Sequence, residues 1–144
     1  MAIEQSCFNR LPLLNGIWLS NNNILQAEFT RHEDGTRSIA LSAPVPYDTL
    51  PRPERLDVYG SAYIKVPAFD GILLFGMLEN ERQYCGFCML IAGGRALITA
   101  SFAELAPIRS AEVHGIHLLL HTEDGECLRI IPSEDGTAAT AELL

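Results

Sequence analysis

Residues 70–104 read DGILLFGMLENERQYCGFCMLIAGGRALITASFAE, and they decide the fold. Three apolar runs of strand length, Ile72–Leu78, Tyr84–Ile91 and Ala96–Phe102, are separated by a polar Glu-Asn-Glu-Arg turn and by Ala-Gly-Gly-Arg. Apolar runs joined by tight turns predict a three-stranded antiparallel meander. Gly93-Gly94 suits a type I′ turn, which needs φ > 0 at both central positions. With Ala92 opposite Arg95, strict two-residue alternation pairs Met89 with Ile98, Phe87 with Ala100 and Cys85 with Phe102. A turn at Asn80-Glu81 sets Glu79 opposite Arg82, a favourable cross-strand charge pair, and places Leu74 beside Phe87.

This register divides the sheet into two faces. Ile72, Leu74, Cys85, Phe87, Met89, Ile98 and Phe102 make a core face. Leu73, Phe75, Met77, Tyr84, Cys88, Leu90, Leu97, Thr99 and Ser101 make a second face that is also apolar, with a few hydroxyls. An antiparallel sheet with one solvated face alternates apolar and polar residues, and this one does not. The sheet is expected to be buried on both sides, its second face covered by the chain itself, by a second subunit or by a ligand.

A length of 144 residues fits one domain, spanning 1–144, able to build a core without disulfides or metal. Hydrophobic residues make up 48% and charged residues 19%, a globular composition. The formal net charge is −8 and Lys65 is the single lysine, which argues against non-specific nucleic-acid binding. No apolar run approaches the ~18 residues of a membrane span. Residues 1–14 form a lead-in without the long apolar core of a signal peptide. Cys7, Cys85, Cys88 and Cys127 show no framework spacing, so reduced thiols and a cytoplasmic location are expected.

Outside the meander the chain continues in short strands. Gly16–Ser20 opens the first, and Ile24–Thr30 returns after Asn21-Asn-Asn23. Glu33-Asp-Gly35 predicts a three-residue loop with Gly35 left-handed, pairing Phe29 with Ile39 and Ala27 with Leu41. The same triplet recurs at 123–125, pairing Leu120 with Leu128 and Leu118 with Ile130, and at 134–136. Residues 43–54, with Pro44, Pro46, Pro51 and Pro53 around Tyr47, form a Pro-rich loop that cannot be a central strand. Leu56–Val66 is a long strand in which Gly60 permits a bend. Residues 103–113, with Pro107, are a looser passage with room for one helical turn, and 138–144 supplies a last strand. About ten antiparallel strands without a long amphipathic helix predict an all-β meander closed as an up-and-down β-barrel, with a β-sandwich as the alternative.

Gly16-Ile17-Trp18 on the first strand, followed by a meander, resembles the Gly-x-Trp opening of the calycin barrels: lipocalins, fatty-acid-binding proteins and avidins. The resemblance covers one tripeptide and the strand count. It implies a barrel with an apolar interior and Trp18 packed across its closed end, with no implication for which ligand is held.

Few constellations carry chemistry. Cys85-Gly-Phe-Cys88 has redox or zinc spacing, but mid-strand residues three apart point to opposite faces, so two buried core cysteines are expected. His117 and His121 share a strand face about 13 Å apart, too far for one ion. His121 opposite Cys127 is the one nucleophile–base pairing; it makes an enzyme the third reading. No catalytic residue, metal site or cofactor is assigned, and no phosphate loop or dinucleotide fingerprint is present. The first functional expectation is a non-enzymatic protein that holds a small apolar or amphipathic ligand against the 72–102 sheet. Phe75, Met77, Tyr84, Cys88, Thr99 and Ser101 would line the site, with Tyr47 near the mouth. The alternative is an acidic interaction module, either an inhibitor or immunity-type protein masking a basic partner or a homo-oligomer through the same face.

Overall fold

The computed structural model describes residues 15–46, 55–66, 69–80 and 83–144. These residues form an all-β arrangement of twelve antiparallel strands with no helix. The strands are β1 (Gly16–Leu19), β2 (Asn23–Arg31), β3 (Arg37–Leu41), β4 (Val45–Pro46), β5 (Arg55–Val66), β6 (Phe69–Asn80), β7 (Gln83–Ala92), β8 (Arg95–Phe102), β9 (Ile108–His114), β10 (His117–Thr122), β11 (Cys127–Pro132) and β12 (Ala139–Leu143). No helix among the described residues is long and apolar enough to cross a membrane.

The strands divide into an eight-stranded sheet ordered β3-β2-β1-β8-β7-β6-β5, with β4 pairing β2, and a four-stranded sheet ordered β12-β11-β10-β9. Among the described residues neither sheet closes on itself. A single continuous meander is replaced by three local ones, and β8 returns to pair with β1. That return places Ile17 opposite Ala100 and Trp18 opposite Thr99, so the short first strand has partners on both sides.

The two sheets share one core. From the larger sheet it takes Ile17, Leu19, Leu73, Phe75, Leu90 and Phe102; from the smaller, Leu118, Leu120, Leu128 and Ile130. In β10 and β11 buried and half-buried residues alternate strictly, as a period of two requires when one face is packed. Leu118 meets Ile130 and Leu120 meets Leu128, the register set by the three-residue loop after Thr122. The first Glu-Asp-Gly hairpin also has its expected register, with Phe29 opposite Ile39 and Ala27 opposite Leu41. In all three copies the glycine is left-handed, with φ of 86°, 91° and 73°, and its N–H donates to a carbonyl three residues back. The third loop is one residue longer, because Ser133 N donates to Ala138 O.

The outer face of the central sheet is buried as well. Leu74, Leu78, Cys85, Phe87, Met89 and Ile91 form a second apolar cluster there, flanked by Leu56, Ile72 and Ala96. A meander buried on both sides is therefore what the unbroken apolar runs produce.

Three local expectations change. The β6–β7 register is shifted by two residues, so Glu79 faces Tyr84 rather than Arg82 and Leu74 faces Met89 rather than Phe87. The β7–β8 pair starts at Ala92 opposite Arg95, but an irregularity at Leu90/Ile91 admits Leu97 as an extra residue. From there Leu90 meets Ile98, Cys88 meets Ala100 and Met89 meets Thr99, and every later β8 side chain exchanges faces. Residues 108–113, expected as a loose passage, belong to strand β9, which pairs with β10.

Candidate functional site

The described side chains expected to line one pocket are divided between the two faces of the sheet. Phe75, Met77 and Cys88 are buried on the side of the sheet that faces the second sheet, and Phe75 and Cys88 belong to the shared core. Phe75 has room there because Gly60 lies against its ring: a β-carbon on Gly60 would come within 2.7 Å of the ring's far carbon. Thr99 and Ser101 are buried too, but the β8 bulge turns them to the opposite face, opposite Met89 and Phe87. Tyr84 shares the parity of Phe75, yet it stands beyond the end of the core and is 53% exposed. Tyr47 lies outside the described residues.

Cys85 and Cys88 are both free and buried, on opposite faces of β7. Burial pushes their thiols up, to about 11 for Cys85 and about 12 for Cys88. Thiols held protonated in this way suit packing and not nucleophilic attack.

The outer side of the smaller sheet carries a second polar group. His121 pairs with Cys127 across β10–β11 and with Ser110 across β9–β10. Its Nε2 donates to Glu112 Oε2 at 2.7 Å, and His114 Nε2 lies 3.7 Å from Glu112 Oε1. The His121 bond holds the Glu112 carboxyl below its ordinary value. Glu112 is thus the orienting acid for His121 that sequence alone could not identify, because it arrives from a strand not expected there. The thiol opposite is poorly prepared, however: desolvation, and then the Glu112 charge, raise Cys127. An unactivated thiol beside an oriented histidine makes a weak nucleophile. No group of three or more His, Cys, Asp or Glu among the described residues is placed to hold a metal ion.

A different cluster has the character of a contact surface. At the start of β5, Arg55 Nη2 donates to Asp57 Oδ2 at 2.7 Å, and Nη1 lies 3.8 Å from Glu79 Oε2. The Asp57 bond raises the guanidinium above its ordinary value, with smaller contributions from Glu79 and Tyr84. Tyr84 occupies the position opposite Glu79. Two residues beyond Asp57 the β5–β6 register slips between Val58 and Gly60, so Tyr59 is the unpaired residue of a bulge, 45% exposed. Its phenol is raised by partial burial first and then by the charges of Glu123 and Asp57, which places it beside the β10–β11 turn. Arg55, Tyr59 and Tyr84 therefore stand around Asp57, Glu79 and Glu123 at one end of the larger sheet. The run Val58-Tyr-Gly-Ser61 hints at the bulge through its glycine, but the grouping depends on the β5–β6 register, for which residues 67–68 carry no turn signal beyond Pro67. Comparison with known proteins finds no matching family model, no similar curated protein and no similar solved structure.

Proposed function

We propose that this chain is a non-enzymatic protein-interaction domain that docks a basic partner through the Arg55–Tyr59–Tyr84 end of β5–β7. The observation that carries this reading is the joint exposure of Tyr59 and Tyr84 around the ion-paired Arg55. Tyrosine and arginine are the residue types that dominate binding energy at interfaces, because they offer large rigid area and directed polar atoms. Their surroundings are acidic, with Asp57, Glu79 and Glu123, on a chain of net charge −8, and a positively charged partner surface would meet this end favourably. A barrel-like shell as the scaffold is supported by β5 lying along β9 and β3 along β12 around the single shared core.

The test is affinity capture from the host lysate with the wild-type chain and with the Tyr59→Ser/Tyr84→Ser double variant. Retention of a basic protein that elutes with rising salt and is lost with the double variant is the expected result. Equal retention by both proteins would sink the proposal, and so would the absence of any basic partner.

One observation favours the ligand reading as a second proposal. Thr99 Oγ1, buried on the outer face of β8, has no hydrogen-bond partner among the described residues, and a buried hydroxyl left unpaired costs about 1–3 kcal/mol. A bound molecule with a polar atom near Thr99 would remove that cost. Native mass spectrometry of protein from its own host would then show extra mass that disappears on denaturation and is absent from Thr99→Val.

A further inference from the structure

The β2–β3 hairpin ends in two arginines set directly opposite one another, Arg31 and Arg37. Like charges facing across antiparallel strands repel, and the two are handled differently here. Arg37 is held in three ways. Its guanidinium lies over the Phe29 ring, 5.5 Å from the centroid. Its Nη2 donates to the Glu126 carboxylate, and its Nη1 donates to the carbonyl oxygen of Glu104 at 3.4 Å. Arg31 is exposed and makes no ion pair among the described residues. Between them, where the β2–β3 turn meets β12, is a cavity of about 380 Å³. Its polar wall includes Arg31, Thr36, Arg37 and Glu126, and its apolar wall is Leu143 and Leu144.

We propose that this cavity binds the carboxylate of a short amphipathic acid, with the carboxylate on Arg31 and the alkyl group on Leu143 and Leu144. The volume falls in the lower range of small-molecule pockets. Of the charged groups that line the cavity, two guanidiniums face the one carboxylate of Glu126, and Glu104 and Asp124 add negative charge around Arg37, which suits a monoanion on Arg31 better than a phosphate dianion. A planar guanidinium fork receives two carboxylate oxygens in parallel, and Arg37, fixed by Phe29 and Glu126, is preorganised as the second wall. The site is independent of the Tyr59–Tyr84 surface: β3 is one edge of the larger sheet and β5 is the other.

The experiment is an NMR titration of the ¹⁵N-labelled full chain with octanoate, reading the amides of Thr36, Arg37, Leu143 and Leu144. Saturable shifts confined to this group are expected. Arg31→Gln, an exposed substitution whose spectrum reports intact folding, should weaken binding at least tenfold, with Arg31→Lys in between. Octan-1-ol should leave the same amides in place, and inorganic phosphate should compete poorly. The proposal is overturned if octanoate moves nothing or moves residues elsewhere, or if Arg31→Gln binds as the wild type does. Equal shifts from octan-1-ol would remove the anion from the assignment, and tighter binding of phosphate would remove the carboxylate.

Discussion

The carbonyl oxygen of Asp57 occupies the space that a side chain on Gly76 would need: a β-carbon there would come within 2.0 Å of that oxygen and 2.9 Å of the Tyr59 nitrogen. Both atoms are backbone: Tyr59 is the extra residue of the bulge that slips the β5–β6 register, and Asp57 stands two residues before it. The bulge that turns Tyr59 outward is therefore built on the missing β-carbon of its partner strand.

Gly76→Ala should accordingly destabilise the fold by about 2–3 kcal/mol, the upper range for overpacking, since no flexible side chain can yield. Gly93→Ala is the control. Gly93, unlike Gly76, is left-handed, with φ 60°, but a β-carbon on it meets open space, and the substitution should cost only about 1 kcal/mol. Urea denaturation of the two variants gives the comparison, and equal midpoints would contradict the packing account.

The two buried thiols predict a loss of stability in base. Each is raised in the folded chain, from 9.0 to about 11 for Cys85 and to about 12 for Cys88, chiefly by desolvation. A raised folded value means that below pH 9 neither state is charged and the stabilisation is complete. Above pH 9 the unfolded chain releases its protons first, and stability falls until the folded values are passed. The loss is about 1.4 kcal/mol per pH unit for each thiol. Urea midpoints at pH 8 and pH 10 should therefore separate strongly in the wild type and less in Cys88→Ala, whose smaller slope is the check.

Much of this architecture was legible in the sequence where turn chemistry and apolar alternation agree. Glu33-Asp-Gly35 and Glu123-Asp-Gly125 each specify a loop length, and one length alone leaves the apolar side chains on a common face, so both registers follow. The double-sided burial of the central sheet was legible for the same reason. The bulges were not. Leu97 has the same apolar character as its neighbours Ala96 and Ile98, so no contrast in polarity marks it as the extra residue, yet it decides on which face Thr99 and Ser101 stand. The division into two sheets was hidden as well, because the β1–β8 pairing joins residues far apart in the chain without a turn to announce it. The Arg55 cluster and the Glu112–His121 bond depend on such pairings, and sequence order alone does not supply them.

Phe102 should be among the most sensitive core positions. It is fully buried, and its ring meets Phe29 edge to face, with centroids 6.3 Å apart and planes at 88°. Phe102→Ala removes that pair and leaves a cavity between the two sheets, so a loss of about 3–5 kcal/mol is expected. Calorimetry should show a lowered melting temperature with one cooperative transition retained. A small change would mean that the sheets close over the gap.

The third Glu-Asp-Gly turn gives the clearest titration. Asp135 Oδ1 accepts hydrogen bonds from Thr137 Oγ1 at 2.7 Å, Ser133 Oγ at 2.8 Å and Thr137 N at 3.1 Å. These donors favour the ionised carboxylate and draw Asp135 from 3.8 to about 2, the Thr137 hydroxyl contributing most. Because the folded value is the lower one, the turn's contribution is complete above about pH 4 and is lost as the pH falls through about 2. Carbon-detected NMR of the carboxyl should find its midpoint near 2 in the wild type. Thr137→Val removes the strongest donor and keeps the amide, so the midpoint should rise toward 3.8 without reaching it. Asp34, whose partner Thr36 is untouched, should not move. A wild-type midpoint already near 3.8 would mean that Ser133 and Thr137 spend their hydrogen bonds on water, and that the glycine alone holds the turn.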